Sequence, residues 1–83
     1  MKVLYFAWLR DRVGVAEEVV DPPGDIKTVG QLAAWLAQRS PGHAEAFADP
    51  AAVRCAVNQD FARAEEPFST DDEIAFFPPM TGG

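Results

Sequence analysis

The first part of the chain alternates with a period of two. Lys2-Val3-Leu4-Tyr5-Phe6-Ala7-Trp8 is rich in β-forming residues and predicts a strand. Alternation sends Val3, Tyr5 and Ala7 to one side and Leu4, Phe6 and Trp8 to the other, so both faces are apolar. Leu9 to Gly14 reads as a charged connection closing on a glycine. Ala16 to Val20 predicts a second strand, ended by the turn residues Asp21-Pro22-Pro23-Gly24-Asp25, and the two strands form a hairpin. The period then changes. Thr28 followed by Gln31 is a capping-box pattern, and Val29, Leu32, Ala33 and Leu36 fall on one helical stripe. Gln31, Ala34 and Gln38 face away, with Trp35 at the edge of the stripe. Ser40-Pro41-Gly42 stops this helix near Arg39.

His43 to Ala52 is an Ala-rich connection with room for one helical turn. Arg54 to Asn58 predicts a third strand, Asn58-Gln59-Asp60 a tight turn, and Phe61-Ala62-Arg63 a short fourth strand. Ala64 to Asp72 is a polar loop, and Glu73 to Phe77 predicts the last strand. The order β-β-α-β-β-β predicts an α+β fold: a β-grasp, or ubiquitin-like, roll. It has a mixed sheet of four to five strands with one main helix packed on one face. Residues 1–77 form the domain and residues 78–83 an extended, flexible tail. One helix covers one face of a small sheet. The second apolar face, with Phe6 in it, is therefore expected to be an interaction surface.

Composition narrows the function classes. At 83 residues the chain has one core. A net charge of −6 disfavours nucleic acid, which relies on clustered Lys and Arg. It suits partners with basic faces, or serves solubility alone. The longest uncharged apolar run, Val3 to Leu9, is far below the roughly 20 residues of a membrane span. The start carries no basic leader, which makes the cytoplasm the expected compartment. Cys55, the single cysteine, sits in an apolar run and reads as core. His43, the single histidine, has no nearby nucleophile or second ligand and reads as a surface residue without a role. Glu65-Glu66 and Asp71-Asp72-Glu73 read as solvated loop residues. No metal site and no catalytic set is expected, so the chain is not a catalyst by itself.

The end of the chain carries the candidate chemistry. Ile74-Ala75-Phe76-Phe77 runs into Pro78-Pro79 and then Met80-Thr81-Gly82-Gly83. Two prolines hold the backbone extended and cannot donate to a ladder, so the sheet is expected to end at Phe77. Glycines without Cβ allow close approach to a surface, so Gly82-Gly83 suits a narrow active site that receives the terminal carboxylate. An inert frayed tail is the alternative these residues leave open.

Phe76-Phe77-Pro78-Pro79-Met80-Thr81-Gly82-Gly83, with Ala56-Val57-Asn58-Gln59, Asp72-Glu73-Ile74-Ala75 and Lys2-Val3-Leu4-Tyr5-Phe6-Ala7, resembles the MoaD-type sulfur carriers, the small subunits of molybdopterin synthase. The resemblance spans the chain and is most specific at the tail. It implies that Gly83, preceded by Gly82, is adenylated at the expense of ATP by a ubiquitin-activating-type enzyme. A sulfur donor protein then converts it to a thiocarboxylate. The tail, Pro78 to Thr81 included, inserts into the large synthase subunit, and sulfur passes to cyclic pyranopterin monophosphate. Two copies of each subunit form the working enzyme, a sulfurtransferase, and this chain holds no cofactor of its own. The family's three apolar docking residues align with Phe6, Phe61 and Phe77. Asp71 stands where the family commonly has glycine, which implies a local change of turn. Carriers for thiamine or tungsten-cofactor synthesis, and protein modifiers, share the Gly-Gly end, and a binding module with an inert tail is a further alternative.

Overall fold

The computed structural model describes residues 1–79. Five strands form one sheet in the order β2-β1-β5-β3-β4, where β1 is Lys2–Tyr5, β2 Glu17–Val19, β3 Arg54–Val57, β4 Asp60–Ala62 and β5 Glu73–Phe77. β1 lies parallel to β5 at the centre, and the other neighbours are antiparallel. This is the expected β-grasp. The last strand ends at Phe77, where the prolines begin.

The main helix, α2 (Val29–Leu36 in chain order), has the capping box in full. Thr28 Oγ1 accepts from the Gln31 amide, and Gln31 Oε1 accepts from the Thr28 amide. Its first amides are satisfied from outside, Val29 N–H by the Glu66 carbonyl at 3.0 Å and Gly30 N–H by that of Ala64 at 2.8 Å. The loop after β4 is thus pinned to the helix start. The helix ends at Leu36, before the expected Arg39, because the following amides of Gln38 and Arg39 bond three residues back instead of four.

Two further helices correct the expected order. The first strand stops at Tyr5 and does not reach Trp8. Ala7 takes φ 56° and ψ −133°, and the Leu9 amide donates to the Phe6 carbonyl at 3.2 Å, closing a tight turn. Trp8–Val13 then forms α1, where a connection was expected, with Leu9 fully buried and Gly14 left-handed at its end. Pro41–Ala46 forms α3, where a connection was also expected. Ser40 both follows α2 and caps α3, accepting from the His43 amide at 3.1 Å, with Pro41 at the first helical position. α3 approaches α1 closely: a Cβ on Gly42 would stand 2.2 Å from the Arg12 carbonyl oxygen.

The core is the layer between the helices and one face of the sheet. Val3 and Tyr5 of β1, Ile74 and Phe76 of β5 and Cys55 of β3 meet Leu9, Val29, Leu32, Leu36, Ala46 and Phe47. Cys55 is buried, as expected, and its thiol donates to the Ala62 carbonyl at 3.1 Å. Burial pushes that thiol's pKa up. The β3–β4 turn places Asn58 at φ 51° and Gln59 at φ 72°, the two left-handed positions of a two-residue hairpin.

Candidate functional site

Cross-strand register defines what lies on the far side of the sheet. Ala56 pairs with Ala75 on one flank and with Phe61 on the other, while Arg54 pairs with Phe77. Leu4 pairs with Ala75, so one transverse row runs Leu4, Ala75, Ala56, Phe61. Phe77 lies one step along β5 from that row, and Phe6 continues the alternation of β1. All of these positions face away from the helices.

The three phenylalanines singled out from the sequence therefore share this face. Phe6 is 48 % exposed and Phe61 85 % exposed, and the Phe61 and Phe77 rings are 5.8 Å apart. Phe76, the neighbour of Phe77, points the other way and is 1 % exposed. Aromatic surface held in water on rigid strands is uncommon unless another surface covers it. The aromatic end of the face is also the end where β5 leaves the sheet through Pro78 and Pro79, both half-buried. Met80, Thr81, Gly82 and Gly83 lie outside the described residues.

The opposite end of the same face is charged. Lys2 Nζ lies 3.1 Å from Glu17 Oε2, and this hydrogen bond raises the Lys2 pKa. There the start of β5 is tied down. Glu73 N–H donates to Asn58 Oδ1 at 3.0 Å, and Asn58 N–H donates to the Glu73 carbonyl at 2.8 Å. The Asp72 carboxylate accepts from the Ser69 amide at 2.7 Å and the Asn58 side-chain amide at 2.9 Å, which lowers its pKa. Asp71 takes no left-handed conformation, so the turn rests on Ser69 and Asp72. β5 is therefore fixed at its base and at its centre, and its far end carries the tail.

A second polar group lies on the helix side, where none was expected. His43 is 7 % exposed, not a surface residue. Its Nε2 donates to Glu18 Oε2 at 2.7 Å, and its Nδ1 is 2.7 Å from Ser40 Oγ. The Tyr5 hydroxyl donates to the same Glu18 oxygen at 2.6 Å, and Arg39 Nε lies 3.6 Å from the other. Burial pushes the Glu18 pKa up, but the His43 and Tyr5 hydrogen bonds and the Arg39 charge outweigh it and hold it below the usual range. Burial and the Glu18 bond push Tyr5 upward. Ser40 is already the cap of α3, and the group joins β1, β2 and α3. We read it as structural. Among the described residues no cluster of His, Cys, Asp and Glu could hold a metal ion, and no helix is long and apolar enough to cross a membrane.

A model of the ThiS family matches residues 3–83, tail included. The chain belongs to the ThiS family. Among ThiS-like relatives, the molybdopterin synthase sulfur carrier subunit of Escherichia coli (strain K12) is 39 % identical, the match covering 100 % of this chain and 99 % of that one. The Haemophilus influenzae protein of the same name is 35 % identical over the same shares. Among solved structures, small archaeal modifier protein 1 of Haloferax volcanii is 29 % identical with a TM-score of 0.78, covering 96 % of this chain and 97 % of that one.

Proposed function

We propose that this ThiS-family chain is the sulfur-carrier subunit of a molybdopterin synthase, working in the cytoplasm. The full-length match to sulfur carrier subunits, 39 % identical to the E. coli one, carries the reading. The division of the sheet supports it: an inner face packed under the helices, an aromatic outer face, and a tail leaving from the outer face's aromatic end.

A carboxylate is a poor electrophile, so the Gly83 carboxylate first attacks the α-phosphorus of ATP on a ubiquitin-activating-type partner. This forms an acyl adenylate and releases pyrophosphate. Sulfide released by a donor protein then attacks the acyl carbon, forming a C–S bond as the bond to AMP breaks, and leaves a thiocarboxylate, whose sulfur is the nucleophile delivered to cyclic pyranopterin monophosphate. Phe6, Phe61 and Phe77 form the docking face for the large subunit, in a complex with two copies of each. Pro78, Pro79, Met80 and Thr81 form the stalk. Proline stiffness lowers the entropy lost on threading it, and Gly82 and Gly83 supply a tip without side chains. The pterin-directed catalytic groups belong to the large subunit.

Intact mass after incubation with ATP, activating enzyme and a sulfur source tests this. A gain of one oxygen-to-sulfur exchange, mapped to Gly83, is expected, and so is its loss on removal of Gly82-Gly83 with the melting temperature nearly unchanged. An unchanged mass with a competent activating enzyme would leave only a binding module with an inert tail.

A further inference from the structure

On the side where the tail leaves, the outer face ends in a row that holds more than phenylalanines. Arg54 pairs with Phe77, and Cys55 pairs with Ala62. Arg63 follows Ala62, so the antiparallel register carried one residue further sets Arg63 opposite Arg54, on the face away from the helices. Phe6 continues β1 beside Phe77, its amide donating to the Phe76 carbonyl at 3.1 Å. The row reads Phe6, Phe77, Arg54, Arg63: two rings, then two exposed guanidinium groups.

Like charges directly opposite each other weaken a sheet. Neither arginine forms an ion pair among the described residues. Asp49, the acid closest to Arg54 in sequence, is occupied as a helix cap, accepting from the Ala51 amide at 3.2 Å. Arg54 is held instead by backbone oxygen, its Nη1 donating to the Ala51 carbonyl at 2.9 Å. A carbonyl positions a guanidinium without neutralising it, and the fork keeps further donors for a carboxylate. At the other end of the face Lys2 is already matched by Glu17. In a chain of net charge −6, the uncompensated positive charge of this face thus stands at the root of the tail. It is too far away to serve the chemistry at Gly83: six extended residues, 78–83, put the tip of a threaded tail about 20 Å beyond Phe77.

We propose that Arg54 and Arg63 read aspartate or glutamate carboxylates on the large synthase subunit, set beside the apolar patch that receives Phe77 and next to the mouth that admits the tail. This rests on the docking role of Phe6, Phe61 and Phe77 proposed above. Phenylalanines supply contact area that many apolar patches can match, whereas paired charges fix register and speed correct encounter. A surface without the carboxylates would face two unanswered guanidinium groups and be rejected.

Affinity of the full chain for the large subunit, measured at low and high salt, tests the pairing. At about 50 mM salt, Arg54→Gln/Arg63→Gln should bind roughly tenfold more weakly than wild type, chiefly through slower association. Near about 500 mM the two should converge, because screening removes what the substitution removed. The melting temperature should be nearly unchanged, and Arg54→Glu/Arg63→Glu should bind more weakly still. Carbodiimide treatment of the complex made with Arg54→Lys/Arg63→Lys should join the substituted side chains to Asp or Glu of the large subunit, located by peptide mass. Equal affinity at low salt, a deficit that persists at high salt, tighter binding by the glutamate variant, or crosslinks only elsewhere would each overturn the assignment. Saturable binding of inorganic phosphate by the isolated chain, lost in Arg54→Gln/Arg63→Gln, would make the pair an anion site and overturn it too. Phe77→Ala, run alongside, separates the failures. Affinity lost there but not in the arginine variants removes this pairing alone, and no loss in either removes the docking face with it.

Discussion

The two faces of the sheet use the same residue types for opposite ends. On the inner face, Phe47 packs edge-on against Phe76, 4.9 Å apart at 85°, and Tyr5 lies nearly parallel to Phe76 and edge-on to Phe47. Among the described residues every buried side-chain nitrogen and oxygen has a hydrogen-bond partner, the bonds converging on Glu18 included. On the outer face, Phe61 and Phe77 tilt together in water, and Phe6 stands beside them. Adjacent residues of one strand, Phe76 and Phe77, thus belong to different jobs. The inner face supplies the free energy of folding. The outer face contributes little to it, so its aromatic character calls for another explanation, and a docking surface beside a reactive tail is one.

Phe76→Ala should have the largest effect. Deleting a ring buried among Tyr5 and Phe47 costs about 3–5 kcal/mol, enough to unfold most of a small domain near physiological temperature. Denaturant unfolding would measure it, and a loss below about 1 kcal/mol would blur the contrast between the faces.

Gly42→Ala probes the helix side without touching the sheet. Its methyl would meet the Arg12 carbonyl, and moving α3 away from α1 should cost about 1–3 kcal/mol. A variant as stable as wild type would mean that the helical layer is loose.

Glu18→Gln tests the polar joint with a pH signature. Glu18 is held below its ordinary value of 4.5, so its ionised form stabilises the fold above about that pH, and the contribution fades as pH falls through the lowered value. The variant should lose about 1–2 kcal/mol near neutral pH. The gap to wild type should narrow as pH falls from about 4.5 through the lowered value, below which both side chains are neutral. A pH-independent gap would assign the loss to shape, not charge.

Local signals carried much of this fold. The capping box at Thr28, the stripe of Val29, Leu32 and Leu36, and the prolines after Phe77 each act within a few residues, and each element appeared where they placed it. The split between Phe76 and Phe77 was not legible in the strand itself, since both are apolar and a one-residue slip exchanges their faces; Phe77 was assigned outward by the family resemblance, and Phe76 is the one buried. α1 was hidden by a turn whose key residue is Ala7: a positive φ normally advertises itself as glycine, and here it does not. Leu9 and Val13 four apart, closing on Gly14, were the available sign of that helix. For α3 the sign was Ser40-Pro41, a stop for one helix and equally a start for the next. His43 could not be placed at all, because its partner Glu18 is 25 residues away in sequence and no local pattern joins them.

The separation of folding from docking is tested most directly by Phe77→Ala, with melting temperature and affinity for a molybdopterin synthase large subunit measured on the same preparation. The expected result is a loss of affinity of roughly thirtyfold, as for a buried aromatic anchor. The accompanying fall in melting temperature should be at most a few degrees, equivalent to about 1 kcal/mol or less. A large drop in stability with unchanged affinity would contradict the division, and would make Phe77 a core residue like its neighbour.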